Sequence, residues 1–391
     1  MPLRAHEGTF RRPATRGQRR RSGRWLVAGL VAATAACGGG HPFVPPPAST
    51  EPAAAVAQFI GPGGLPGVAV GVMKQGGVVF TQVAGVRKRG DPTLVAEGDA
   101  FHIGSDTKAM TALLAATFVD EGKLRWDSTV AELLGTAVAY RPEYAGVTLA
   151  QLLSHESGVR DELPVATWNS FFGSTATVAA ERRRMVEAAL ALPPASAPGS
   201  AYLYSNFNYV TVGLALELLS GQGWEALMRD RLFTPLGMTS AGFGAPATPG
   251  TVDAPWGHAP DPVSPGPYAD NPPAFGPAGT VHASLADMLR YAGLYLSGGH
   301  APDGSVLVSA ASMAQIETGR LGDYGFGWLV GHTPQGDLVL GHDGSNTMFY
   351  CSLIILPTKG EVALVMTNAG TPPAPERVGQ LMTYLVEHFG L

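Results

Sequence analysis

Strand-like segments stand at both ends of this chain, with helical segments between them, and that arrangement narrows the folds open to it. Val68 to Met73 is a short apolar run. Val78 to Val86 follows it across a Gly76-Gly77 turn, the pattern of a β-hairpin. Strand character returns far downstream at Tyr324–Val330, Leu338–Gly341, Phe349–Leu356 and Val362–Thr367. Pro357-Thr358-Lys359-Gly360 supplies the turn between the last two. An amphipathic helix is expected from about Pro375 to His388. In the middle, Met110, Leu113, Leu114 and Phe118 recur at helical spacing from near Ser105 until Gly122 ends the pattern. Further helices are expected at Leu149–Ser154, Val178–Leu192, Phe207–Leu219, Trp224–Phe233 and Leu285–Ser297. A Pro-rich loop with little structure of its own runs from Ala245 to Gly279. The expected class is α/β in content and α+β in arrangement: one antiparallel sheet completed by both ends and flanked by helices, with a mostly helical lobe inserted. The sheet lobe is placed at about 54–102 and 306–391, the helical lobe at about 103–305. A chain of 391 residues, 45% hydrophobic, can bury a core of that size, and a cleft between lobes is where ligands usually bind.

The first 36 residues read as an export signal. Arg19, Arg20, Arg21 and Arg24 precede an apolar stretch from Trp25 to Ala36, which is too short to span a bilayer. Thr34-Ala35-Ala36-Cys37-Gly38 resembles a bacterial lipobox, which makes Cys37 a candidate membrane tether; ordinary signal cleavage is the alternative. The expected location is therefore exported, in the periplasm or cell envelope. Residues 37–53 are rich in Gly and Pro and read as a linker, so the folded domain is expected over 54–391. The net charge is −5 with eight Arg inside the leader, so the remainder is clearly acidic. Nothing in such a charge balance calls for a nucleic-acid partner. Two Cys, Cys37 and Cys351, cannot make a disulfide framework or a thiolate metal site; Cys351 is expected as a small buried apolar residue.

Three short segments carry the chemistry. Ser105-Asp106-Thr107-Lys108 is the one S-x-x-K of the chain. Residues three apart share a helix face, so the Lys108 amine can reach the Ser105 hydroxyl. A serine needs such a base, and burial would lower the lysine's pKa far enough to make it one. Tyr204-Ser205-Asn206 opens a helix. Its phenol can shuttle a proton, and its amide can orient a substrate carbonyl group or the lysine. Gly341-His342-Asp343-Gly344-Ser345 lies between two strands, where small residues let backbone N–H groups face an oxyanion.

In this order the three segments resemble the serine β-lactamase-like, penicillin-recognising hydrolases: class C β-lactamases, D-Ala-D-Ala carboxypeptidases and related esterases. Leu152-Leu153-Ser154-His155-Glu156-Ser157-Gly158, Phe233-Thr234-Pro235-Leu236-Gly237-Met238 and Pro277-Ala278-Gly279 extend the likeness over about residues 54 to 391. The resemblance implies a β-lactamase/transpeptidase-like fold. It implies that Ser105 forms an acyl-enzyme, with Lys108 and Tyr204 as base and proton shuttle. Asn206 would contact substrate. His342, Gly344 and Ser345 would line the substrate site, and the N–H groups of Ser105 and Ser345 would form an oxyanion hole. Asp343 stands where β-lactam- and peptide-cleaving relatives usually carry a hydroxyl. A carboxylate there would repel a substrate carboxylate, unless Asp343 points away. The expected substrate is accordingly a small-molecule or peptide-like ester or amide, more esterase- or amidase-like than β-lactam. A carboxypeptidase or class C β-lactamase is the first alternative, and an inactive peptide- or cell-wall-binding lipoprotein the second. His155 is expected to be structural. Trp256, His258, Tyr268, Asn271 and Phe275 are candidates to line the pocket from the long loop. No G-x-S-x-G, H-E-x-x-H or P-loop pattern occurs, so no metal or other cofactor is expected.

Overall fold

The computed structural model describes residues 51–391. The leader over 1–36, Cys37 and all but the last three residues of the 37–53 linker lie outside that range. The main sheet is antiparallel, with strand order β2-β1-β9-β8-β7-β6. Its strands are β1 (Gly67–Lys74), β2 (Gly77–Gly85), β6 (Leu329–His332), β7 (Leu338–Ser345), β8 (Tyr350–Leu356) and β9 (Glu361–Thr367). The first strand pairs with the last, Val68 opposite Thr367 and Val72 opposite Ala363. Both ends of the chain therefore complete one sheet, as the distribution of strands requires.

The inner strands β1, β8 and β9 are almost continuously apolar because both faces of the sheet are covered there, whereas the edge strand β2 is largely exposed. On β1, Val68, Val70 and Val72 face α1 (Pro52–Ala57) and the C-terminal α8 (Ala374–Phe389), packing with Val378, Leu381, Met382 and Leu385. Ala69 and Met73 alternate to the other face, toward α2 (Thr107–Asp120) and α7 (Leu285–Leu296). Each large side chain buried this way contributes about 1.5–3 kcal/mol. Cys351, in β8, is buried in that second core as expected.

The helical lobe adds α3 (Leu149–Leu153), α4 (Val178–Leu190), α5 (Asn206–Ser220) and α6 (Trp224–Met228). Every residue of α2 from Thr107 to Phe118 is buried. A helix apolar on all sides belongs at the centre of a fold, and α2 carries Ser105 on its leading turn there.

Several features depart from the sequence reading, among them Gly341–Ser345, expected between two strands but forming the second half of β7. Tyr324–Val330 alternates like a strand, yet β6 begins only at Leu329. Gly327 has φ +86°, and a Cβ on it would lie 2.4 Å from Ala109 Cα, so this segment turns against α2 instead of extending. A small second sheet, β3 (Ala100–His102), β5 (Val281–Ser284) and β4 (Gly242–Phe243), has no strong sequence signal, since its strands hold two to four residues. The helix Ala310–Ile316 is likewise too short for its periodicity to register.

Candidate active site

Ser105 occupies a 3-10 turn, Gly104–Asp106, that runs directly into α2. Lys108, one turn further, is 0% exposed. Its Nζ lies 3.0 Å from Ser105 Oγ, 2.7 Å from Asn206 Oδ1 and 2.7 Å from the Ala278 carbonyl oxygen. Tyr204, just before α5, donates its phenol hydrogen to Ser105 Oγ at 2.8 Å. Lys108 and Tyr204, both named from sequence, thus converge on the Ser105 hydroxyl, and Asn206 reaches it only through Lys108.

Electrostatics separate the two neighbours of the Ser105 hydroxyl. Burial lowers the Lys108 pKa from 10.5 to about 7, although the charges of Asp161 and Asp106 pull the other way. Burial instead raises the Tyr204 phenol, which stays protonated as a donor. A neutral Lys108 keeps two hydrogens. Asn206 Oδ1 and the Ala278 carbonyl accept them, which leaves the nitrogen lone pair facing Ser105 Oγ.

Two contributors were not read from the sequence as part of this centre. Asp161 accepts the Asn206 backbone N–H at 2.6 Å and its side-chain N–H at 3.1 Å. This fixes the amide with its oxygen toward Lys108. The Ala278 carbonyl belongs to Pro277-Ala278-Gly279, where the recognisable segment gave no hint that a backbone atom does the work. Gly213 on α5 makes room for that segment, since a Cβ there would fall 2.2 Å from Pro277 Cγ.

Gly344 and Ser345 press against the turn that carries Ser105. A Cβ on Gly344 would lie 1.9 Å from the Ile103 carbonyl oxygen and 2.9 Å from Ser105 N; one on Gly104 would lie 2.1 Å from Ser345 N. The backbone nitrogens expected to form the oxyanion hole are therefore adjacent. Ser345 Oγ, by contrast, turns back to the Phe349 carbonyl oxygen at 2.8 Å, so only the backbone of Ser345 is left to face a substrate.

His342 is placed differently from the expectation that it lines the substrate site. It is 7% exposed. Its Nδ1 lies 3.0 Å from Asp106 Oδ1 and its Nε2 3.1 Å from the Tyr324 hydroxyl. Both ring nitrogens are engaged inside the protein, Nδ1 by Asp106, the residue after Ser105, and Nε2 by Tyr324. Strand alternation then sends Asp343 to the opposite face, opposite Ser352 of β8, where burial first and the Asp343 charge second raise the Tyr350 phenol. The expected repulsion of a substrate carboxylate by Asp343 is not supported by this geometry.

His155 is structural, as expected. It is fully buried and its Nδ1 accepts the Ser205 N–H at 3.1 Å. Its ring packs 4.3 Å from that of Tyr204, and burial holds its pKa well below 6.5. Among the loop candidates, Asn271 bonds the Gly279 carbonyl at 3.0 Å and Phe275 packs on Phe207 beside Asn206. His258 bonds the Asn368 carbonyl, Trp256 the Thr251 carbonyl, and Tyr268, 72% exposed, stacks on Phe172. Among the described residues, no group of His, Cys, Asp and Glu is arranged to hold a metal ion.

An antiparallel sheet with an inserted helical lobe, holding a serine, a buried lysine and a tyrosine in mutual contact, defines the class of active-site serine hydrolases. The chain belongs to the β-lactamase family, whose model matches residues 53–383. It is 33% identical to penicillin-binding protein 4 of Amycolatopsis lactamdurans over 322 residues, 78% of this chain and 81% of that one. It is 29% identical to the D-aminopeptidase of Cereibacter sphaeroides, with 73% of this chain matched to 53% of that longer protein. Among solved structures, the octameric penicillin-binding protein homologue from Pyrococcus abyssi superposes with a TM-score of 0.66 at 25% identity, over 83% of this chain and 74% of that one. A D-stereospecific amidohydrolase from Streptomyces shares the fold with a TM-score of 0.64 at 22% identity, over 84% and 95%.

Proposed function

We propose that this protein hydrolyses ester or amide bonds through an acyl-enzyme on Ser105, with peptide-like amides as the natural class. The observation that carries the reading is the simultaneous contact of Ser105 Oγ with an amine poised to be neutral and a phenol kept protonated. A substrate carbonyl oxygen would sit between the N–H groups of Ser105 and Ser345. Ser105 Oγ attacks the carbonyl carbon and gives its proton to Lys108. Tyr204 hands a proton to the leaving nitrogen or oxygen as that bond breaks, and Lys108 restores the phenol. Water then repeats the sequence on the ester left on Ser105.

The preference for amides over β-lactams rests on His342. The imidazole of the third segment is engaged by Asp106 and Tyr324, so it offers no free donor to anchor a substrate carboxylate. Similarity to a D-aminopeptidase and a D-stereospecific amidohydrolase favours D-residue amides within the class. Export of the protein, with or without a lipid on Cys37, is proposed from the leader sequence alone.

The test is covalent labelling with a fluorophosphonate, with the adduct mapped by mass spectrometry, beside a substrate panel of D-amino-acid amides, aryl esters, a D-Ala-D-Ala peptide and a chromogenic cephalosporin. An adduct on the Ser105 peptide and faster turnover of amides or esters than of the cephalosporin are expected. A protein that neither labels nor turns over any substrate is the inactive binding protein instead. Labelling together with a higher kcat/KM on the cephalosporin would return the β-lactamase reading.

A pH profile follows from the lysine. The reactive form carries neutral Lys108, whose fraction grows as pH rises through about 7. The kcat/KM for an uncharged ester is therefore expected to climb below that pH and level off above it. A profile flat from pH 5 to 8 would remove Lys108 as the base.

A further inference from the structure

We infer that Asp270, in the Pro-rich loop, is a positioning residue that sets the spacing of the oxyanion hole. This rests on the acyl-enzyme reading given above. Asp270 is nearly buried, and both carboxylate oxygens lie 2.9–3.0 Å from Nε2 of His102, which is 0% exposed. The other ring nitrogen of His102 accepts the Gly104 backbone N–H at 3.0 Å. A ring nitrogen that accepts carries no proton, so His102 is the neutral tautomer with its hydrogen on Nε2, donated to Asp270.

Gly104 immediately precedes Ser105, whose N–H is one half of the proposed hole. The same carboxylate accepts the side-chain N–H of Asn346 at 3.0 Å. Asn346 immediately follows Ser345, whose N–H is the other half, and its Oδ1 closes the turn by accepting the Met348 and Phe349 N–H groups at 3.1 and 2.9 Å. Asp270 also accepts the Asn271 N–H at 2.7 Å, and Asn271 Nδ2 donates to the Gly279 carbonyl, next to the Ala278 oxygen that holds Lys108. One carboxylate thus ties the nucleophile's turn, the end of β7 and the segment that orients the base. It touches none of the reacting atoms.

An amide cannot replace it. With Asn at 270, the new NH2 group faces either the Nε2–H of His102 or the side-chain NH2 of Asn346. If His102 moves its proton to Nδ1 to relieve the first clash, the Gly104 N–H loses its acceptor. Every arrangement leaves one buried donor unpaired beside the hole.

Asp270→Asn is expected to lower kcat on an oxygen ester by about 10- to 100-fold with KM within about twofold, because the hole acts on the transition state. A readout that loss of fold would not produce is the ratio of kcat/KM for an ester and its thiono analogue. Sulfur fits a hole spaced for oxygen poorly, so a loosened hole narrows the ratio. Asn346→Ala, which cuts only the link to β7, is expected to narrow it too, and Asp270→Glu to recover part of kcat. If Asp270→Asn does not fold, Asn346→Ala decides alone. Folded variants with wild-type kcat and an unchanged ratio overturn the inference while leaving the acyl-enzyme reading intact. A wild type inactive on every ester and amide overturns both.

Discussion

Replacing Lys108 by Met is expected to slow acylation of Ser105 by about 10³-fold or more while leaving the fold in place, measured as the burst rate on an aryl ester or the rate of fluorophosphonate labelling. The methionine stem fills the volume of the lysine stem, and the position is already fully buried, so the core loses little packing. What disappears is the lone pair 3.0 Å from Ser105 Oγ. Tyr204 cannot take its place, because burial holds its phenol protonated. The loss should exceed that of a typical single hydrogen bond because the serine then has no group within reach able to accept its proton. The rise of activity through pH about 7 should vanish in the same variant, since the group responsible for it is gone. A Lys108→Met protein that keeps more than a tenth of the wild-type acylation rate would assign the base elsewhere.

Arg182→Ala is expected to cost about 3–5 kcal/mol of folding stability, read from the denaturant midpoint at unchanged slope. Arg182, on α4, is 0% exposed. It bonds Glu217 of α5, Glu225 of α6 at 2.6 Å and the Ala274 carbonyl at 3.1 Å. Four segments, α4, α5, α6 and the turn at Ala274, meet at one guanidinium. Removing it leaves the largely buried Glu217 carboxylate without its countercharge, and an unpaired buried charge costs far more than the intact pair contributes. Lysine is a poor substitute, since a single ammonium cannot span partners arranged around a planar fork. The segment held at Ala274 leads directly to Ala278, whose carbonyl accepts from Lys108, so a milder variant that still folds should also lose activity. A midpoint within experimental error of the wild type would show that the cluster is dispensable.

Sequence spacing made the cluster of Ser105, Lys108 and Tyr204 legible because two of its members lie one helical turn apart and the third stands just before a helix. Local geometry is enough to put Lys108 beside Ser105. His342 shows where that legibility ended. Its place in the third segment was clear from position, but its side chain answers to Asp106, 236 residues away. Nothing in a linear pattern signals that the residue next to Ser105 will turn to a distant strand. Asp161, Asp270 and the Ala278 carbonyl were missed for the same reason: each acts through contacts between segments with no fixed spacing. Strand Tyr324–Val330 was misread because its alternation of buried aromatics also fits a turn, and Gly327 adopts one.

The sequence by itself determined the antiparallel sheet closed by the first and last strands and the helix that begins beside Ser105. Apolar periodicity and turn residues are local and act over a few positions. Only the tertiary structure decided which protons the buried groups keep, and which side chains face the cleft. Those depend on desolvation and on partners brought together from opposite ends of the chain, and no short stretch of sequence contains them.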